Sequence, residues 1–231
     1  MRILIAIISS NTHPVYWQNK EVLQKQTLPE GFDRVFLEYS SAVTEITLSG
    51  ETLLLPGVES GLGILHKTID GLEYLLQKME YDFIIRTNLS TYWRFDLLIP
   101  YFAKAKKQGH YAGYIGYAGG SGFVSGAGII MSNDVAYILI NNKEKLYERA
   151  WVDDINIGRF LGSCKIGLIP HMRNDISSLA DFEKMKDKLV IGPQDRFQFR
   201  LKCKGKREDE PELIRRVVAL FRPPSSACPD T

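Results

Sequence analysis

Tyr81-Asp82-Phe83-Ile84-Ile85-Arg86-Thr87-Asn88-Leu89-Ser90 is a short apolar run that breaks off into small polar residues. A run of this kind reads as a buried parallel strand. Its polar residues then fall at the carboxyl end, where open α/β sheets bind their ligands. The N-terminus repeats the pattern, with Ile3-Leu4-Ile5-Ala6-Ile7-Ile8 leading into Ser9-Ser10-Asn11. That run is too short to span a bilayer, and no A-x-A cleavage pattern follows it. It is expected to be the first, central strand of the sheet.

Working outward, further candidate strands are 34–38, 52–55, 114–117 and 128–131. Helical patterns separate them. Leu62, Leu65, Ile69, Leu72, Leu75 and Leu76 recur at three- and four-residue spacing, which predicts an amphipathic helix over 61–79. Further helices are expected over 95–107, 135–140, 153–161 and 209–220. Strands alternating with helices imply an α/β fold, a mostly parallel sheet with helices on both faces. The order weakens after Lys165. The expected organisation is a single domain over 1–221 and a disordered tail over 222–231, where three prolines mix with small polar residues.

Composition bounds the function. Of 231 residues, 45% are apolar and 24% charged, which is ordinary for a globular protein. A formal charge of +2 is nearly balanced, so nucleic acid is not an expected partner. Cys164, Cys203 and Cys228 are scattered, with no CxxC and no Cys/His cluster. They read as thiols of a cytoplasmic protein, and no stretch is long and apolar enough to be a membrane anchor.

Four blocks in order carry a resemblance. They are Glu59-Ser-Gly-Leu-Gly-Ile-Leu-His-Lys67-Thr68, then 81–90, then Phe123-Val-Ser125-Gly126-Ala127-Gly128-Ile-Ile-Met-Ser132-Asn-Asp134-Val135-Ala136, then Val152-Asp153-Asp154-Ile155-Asn156-Ile157-Gly158. Together they resemble the β-1,3-glycosyltransferases of the fringe and β-1,3-galactosyltransferase type. The third block is similar to that family's Ser-Gly-x-Gly-Tyr-Val-x-Ser-x-Asp-x-Ala pattern. The resemblance implies the GT-A fold and an inverting hexosyl- or pentosyltransferase. Such an enzyme moves a sugar from a nucleotide-diphosphate sugar, here a UDP-sugar by expectation, to a glycan hydroxyl. Lacking the usual anchor, the chain looks more like the cytoplasmic bacterial or large-virus relatives.

Glycosyl transfer needs a base for the acceptor hydroxyl and a clamp for the departing diphosphate. Asp154 stands at the family's base position. Asp153 is its neighbour, and helix neighbours point about 100° apart, so one of the pair is expected to cap the helix or face solvent. The alternative is an acidic pair that only caps. In the family a DxD motif holds a divalent metal. Here Asn88 and Ser90 stand in its place, and neutral ligands bind hard cations weakly. Mn²⁺ or Mg²⁺ is therefore disfavoured, and Asn88 and Ser90 are expected on ribose or donor sugar unless they form a plain turn.

Ser9, Ser10, Asn11, Lys67 and Arg86 complete the expected donor set. Charge compensation is assigned to the segment Arg200-Leu-Lys202-Cys-Lys204-Gly-Lys206-Arg207, five of whose eight residues are cationic, with Arg200 and Lys202 foremost. The alternative is a solvated basic loop. Ser125, Gly126, Asp153 and Trp93 are expected at the acceptor side, although Trp93 and Tyr92 also suit a core. His171 would serve a metal only if one is used, and otherwise reads as a hydrogen-bonded histidine. The glycine-rich stretch 116–122 lacks the GK[ST] of a phosphate loop and reads as a mobile connection.

Two rivals stand beside the transferase. One is an inactive glycan- or nucleotide-sugar-binding relic, in keeping with the missing DxD. The other is a sugar nucleotidyltransferase, which needs a Gly-rich, Lys-bearing loop after the first strand that Ser9–Pro14 does not supply.

Overall fold

The structure is a computed structural model that describes residues 1–61, 63–148, 152–191 and 196–221. Leu62 of the helical spacing, Cys228 and the 222–231 tail lie outside the described residues. The first half runs β1 (Ile3–Ile8), α1 (Pro14–Gln24), β2 (Phe32–Ser40), β3 (Thr47–Ser49), β4 (Thr52–Pro56), α2 (Gly63–Lys78), β5 (Phe83–Asn88) and β6 (Thr91–Trp93). Next come α3 (Phe95–Lys104), β7 (Tyr111–Ala118), β8 (Ser121–Ser132), α4 (Asn133–Ile140), α5 (Lys143–Tyr147) and α6 (Asp153–Ser163). The chain goes on through β9 (Ile169–Pro170), β10 (Arg173–Ile176), α7 (Leu179–Ile191), β11 (Gln198–Leu201) and α8 (Glu210–Leu220).

An eight-stranded sheet has the order β3-β4-β2-β1-β5-β8-β7-β9. Strands β4, β2, β1 and β5 run parallel, and β8 returns antiparallel to β5. The chain leaves β1 toward β2 on one side and later places β5 on the other. The order therefore reverses at β1, and this reversal opens a crevice beyond the carboxyl ends of β1 and β5. A second sheet, β10-β11-β6, is tied to the first where the Thr91 hydroxyl donates to the Ala127 carbonyl at 2.8 Å.

The uninterrupted apolar runs follow from burial on two faces. Ile3, Ile5 and Ile7 join Phe83 and Ile85 in one core cluster with α1, α3, α7, α8 and the small sheet. Leu4, Ala6 and Ile84 face the other way, into a cluster with α2, α4 and α6. Each buried Ile, Leu or Phe side chain among them contributes about 1.5–3 kcal/mol. No helix among the described residues is long and apolar enough to cross a membrane.

Two expectations change. The 116–122 stretch is a β-hairpin rather than an irregular connection: Gly119 and Gly120 turn at φ +54° and +78°, and Ala118 pairs with Ser121. Positive φ at both turn positions matches the right-handed twist of the flanking strands, and glycine adopts it without steric cost. Order also persists after Lys165, through β10, α7 and β11. These elements escape periodicity because β10 and β11 are four residues each and α7 buries only Phe182 and Leu189.

Gly128 is fixed by packing. A Cβ there would stand 2.1 Å from Gln198 Nε2 and 2.6 Å from the Trp93 ring. Gly128→Ala is expected to lower stability by about 1–3 kcal/mol through overpacking. The urea midpoint checks it, and an unchanged midpoint would mean that the small sheet moves aside at no cost.

Candidate functional site

The crevice at the β1–β5 reversal is a cavity of about 410 Å³. Ser9, Ser10 and Thr12 line it from the end of β1, and Asn88, Leu89 and Ser90 from the end of β5. Glu59, Ser60 and Gly61 form the lip before α2, and Lys202 and Arg207 close it from the C-terminal segment. Among the described residues, the side chains of Asn88, Ser90 and Lys202 have no hydrogen-bonding or ionic partner, so they are available to a ligand.

Several expected donor residues are instead committed to the protein. Ser9 is buried; its hydroxyl donates to Glu38 at 2.6 Å and its carbonyl accepts from Lys67 at 2.8 Å. Lys67 is 1% exposed, and its ammonium also meets both Glu59 oxygens at 2.6 Å. Burial lowers its pKa, and the contact with Glu59 opposes that shift. Lys67 thus shapes the wall rather than offering a free cation. Ser10 is bonded to Thr12 at 2.8 Å, and exposed Asn11 is not part of the lining.

Arg207 is set in place by its near neighbour Glu210 and by Tyr16, far away in sequence. Its guanidinium donates to both oxygens of Glu210, at 2.9 and 3.1 Å, and to the Tyr16 hydroxyl at 3.0 Å. Glu210 is fully buried and also accepts from Asn19, whose Oδ1 is buried without a partner. Tyr16 and Asn19 belong to the cavity lining, and sequence reasoning missed both. No local signal marks them, because their partners sit on a helix 191 residues away.

A second group lies on the other side of α2. Arg86 is 1% exposed and does not line the crevice. Its guanidinium binds Asp153 at 2.5 Å and the Gly126 carbonyl, and its Nε approaches the Thr68 hydroxyl at 3.5 Å. Asp153 is therefore the partner of Arg86, not a helix cap. Asp154 beside it accepts the Gly126 N–H at 2.8 Å and the Ile155 N–H at 2.9 Å. Burial holds the Asp154 carboxyl above its ordinary value of 3.8, against the lowering effect of the Gly126 hydrogen bond. Gly126 must be glycine here, because a Cβ would come 2.7 Å from the Arg86 guanidinium and 3.3 Å from Asp154.

All four sequence blocks thus meet at one end of the sheet. Thr68, Arg86, Gly126 and Asp153–Asp154 form one bonded unit, and Lys67 carries it to Ser9 and the crevice. Ser125 accepts from Arg173 at 3.1 Å on the outer side of that unit.

Three expected site residues lie elsewhere. Trp93 is buried, donates to Thr87 at 3.2 Å and stacks on Phe197, so it fills core. Arg200 opens into a neighbouring cavity. His171 lies by the Tyr101 hydroxyl, which bridges it at 2.8 Å to His110 at 2.6 Å. Burial, and then the neighbouring His171, push His110 down to about 4. Among the described residues no group of three or more His, Cys, Asp or Glu is arranged to hold a metal. The donor set in the crevice does not fit Mn²⁺ or Mg²⁺ either. It offers neutral Asn88 and Ser90 oxygens, a Glu59 already neutralised by Lys67, and the cations Lys202 and Arg207.

No protein-family model matches the chain, and no curated protein matches it. Among solved structures the chain is similar to a glycosyltransferase involved in the glycosylation of the major capsid of PBCV-1. The TM-score is 0.54 at 10% identity, over 93% of this chain and 98% of that one. The two share a fold. With its mostly parallel sheet between two helical layers, the chain has the α/β architecture of the GT-A type. The galactosyltransferase LgtC, solved with donor and acceptor sugar analogues, gives a TM-score of 0.46 at 13% identity, over 97% of this chain and 98% of that one.

Proposed function

We propose that the protein is an inverting glycosyltransferase that moves a sugar from a nucleotide-diphosphate donor, a uridine one by preference, to a glycan hydroxyl. The observation that carries this reading is the bonded unit Thr68–Arg86–Gly126–Asp153/Asp154, linked through Lys67 to a crevice at the sheet's reversal. The shared fold and the fringe-type resemblance support it. Asp154 takes the acceptor proton as the acceptor oxygen bonds to the anomeric carbon. The bond from that carbon to the diphosphate breaks on the opposite face, and its electron pair leaves on the phosphate. Lys202 neutralises that charge in place of a metal, and Arg207, paired with Glu210, offers its remaining edge as a hydrogen-bond donor beside it. Asn88 and Ser90 hydrogen-bond the ribose or the donor sugar.

The raised pKa of Asp154 suits the role, because a base that is poorly solvated as an anion accepts a proton more readily. Incubation with a panel of nucleotide sugars, with Mn²⁺, with Mg²⁺ and with EDTA, tests the reading through release of nucleoside diphosphate. Turnover of one donor at the same rate in EDTA is the expected result. Collapse in EDTA would return the metal and overturn the cationic clamp. No donor binding at all would sink the transferase, and binding without turnover when a glycan acceptor is supplied would favour the relic. Lys202→Ala is expected to weaken UDP binding by about tenfold to a hundredfold, the loss of a charge-assisted contact. An unchanged Kd by calorimetry would remove Lys202 from the clamp.

A further inference from the structure

Beside the crevice lies a second cavity, of about 630 Å³, a size within the roughly 300–1,000 Å³ usual for small-ligand sites. It shares Lys202 and Arg207 with the crevice and adds Arg200, Lys204 and Asp175. Its charge is one-sided. Arg200 lies in β11 and Lys202 and Lys204 follow it, while Leu201 and Cys203 between them are buried. All three cations line this one cavity. No carboxylate among the described residues pairs with any of them. The lone acidic wall residue, Asp175, is held by Arg173 at 3.0 Å, and Arg207 is already matched by Glu210. Three uncompensated cations in one concavity repel each other and favour an anion.

We infer that this cavity is an acceptor subsite for an anionic saccharide, one that carries a carboxylate or a phosphate. The inference rests on the transferase reading above and adds the substrate class. Its position supports the acceptor side. Arg173, which holds the wall residue Asp175, also donates to Ser125, next to the Gly126 that binds Asp154. Arg200 supplies a planar fork that suits carboxylate or phosphate oxygens and Lys204 adds a point charge, while Lys202 stands on the border with the crevice and serves the donor diphosphate.

Calorimetry on the full chain, with and without saturating UDP, tests the subsite. The probes are an oligosaccharide ending in glucuronic acid, its neutral methyl ester, and the same oligosaccharide ending in a sugar phosphate. The acid or the phosphate is expected to bind about tenfold tighter than the ester, and the tighter of the two names the group. The double variant Arg200→Gln/Lys204→Gln should erase that preference and leave the Kd for UDP unchanged. Equal binding of acid, phosphate and ester would overturn the subsite. Loss of UDP affinity in the double variant would overturn it too, by assigning the cavity to the donor diphosphate. A native chain that binds no UDP would remove the uridine donor from the transferase reading, and the probes without UDP would still decide the cavity.

Discussion

Asp154→Asn is expected to cut transfer by about 10²–10⁴-fold while the chain still folds. The carboxamide keeps the volume of the side chain and can still accept the Gly126 N–H that Asp154 Oδ2 accepts at 2.8 Å. It loses the acceptor that faces the Ile155 N–H, which costs about 1–3 kcal/mol at most. What it cannot do is take a proton from an acceptor hydroxyl. The pH dependence adds a second check. Burial raises the Asp154 pKa above 3.8, so the ionised base, and with it the rate, should appear only as pH rises through that higher value. Stability runs the other way. A carboxyl whose folded pKa lies above its unfolded one favours the fold below the unfolded value, and that contribution is lost as pH rises through the folded value. Asp154→Asn removes this term, so its melting temperature should fall less than that of the native chain as pH rises from below 3.8 to neutrality. Retained transfer in the variant would exclude Asp154 as the base.

Arg86→Met is expected to produce the largest loss of stability. The guanidinium lies 2.5 Å from Asp153, with side-chain exposures of 2% and 9%, and also holds the Gly126 carbonyl. Removing one partner leaves an uncompensated buried charge, which costs about 3–5 kcal/mol. In a domain of this size each kcal/mol moves Tm by about 2–4 °C, so the drop should be about 6–20 °C. Replacing both members, Arg86→Met with Asp153→Leu, should recover much of that loss, because burying two apolar side chains costs no desolvation of charge. The double variant should still transfer sugar poorly, since Arg86 no longer holds the Gly126 carbonyl of the strand residue whose N–H fixes Asp154. A single variant that melts with the native chain would show that the pair holds nothing together.

The skeleton of the fold was legible because it depends on burial alone. The runs Ile3–Ile8 and 83–85 are apolar at successive positions because two helical layers cover them, and that pattern needs no knowledge of partners. The leucine spacing of α2 was legible for the same reason, and the acidic start of α6 because carboxylates suit the N-terminal end of a helix dipole. The short strands of the small sheet were not, since four residues carry too little periodicity.

The site divides along the same line. Sequence by itself determined an α/β sheet and the polar strand ends that line the crevice at Ser10, Asn88 and Ser90, all of them neutral. Tertiary structure alone decided which charges are free. Lys67 and Arg86 turn inward because Glu59 and Asp153 meet them there, Arg207 is set by Glu210, and Lys202 is left facing the crevice. The physical reason is that a buried cation is tolerable only with an anion beside it, and the Arg86–Asp153 pair spans 67 residues that only folding closes.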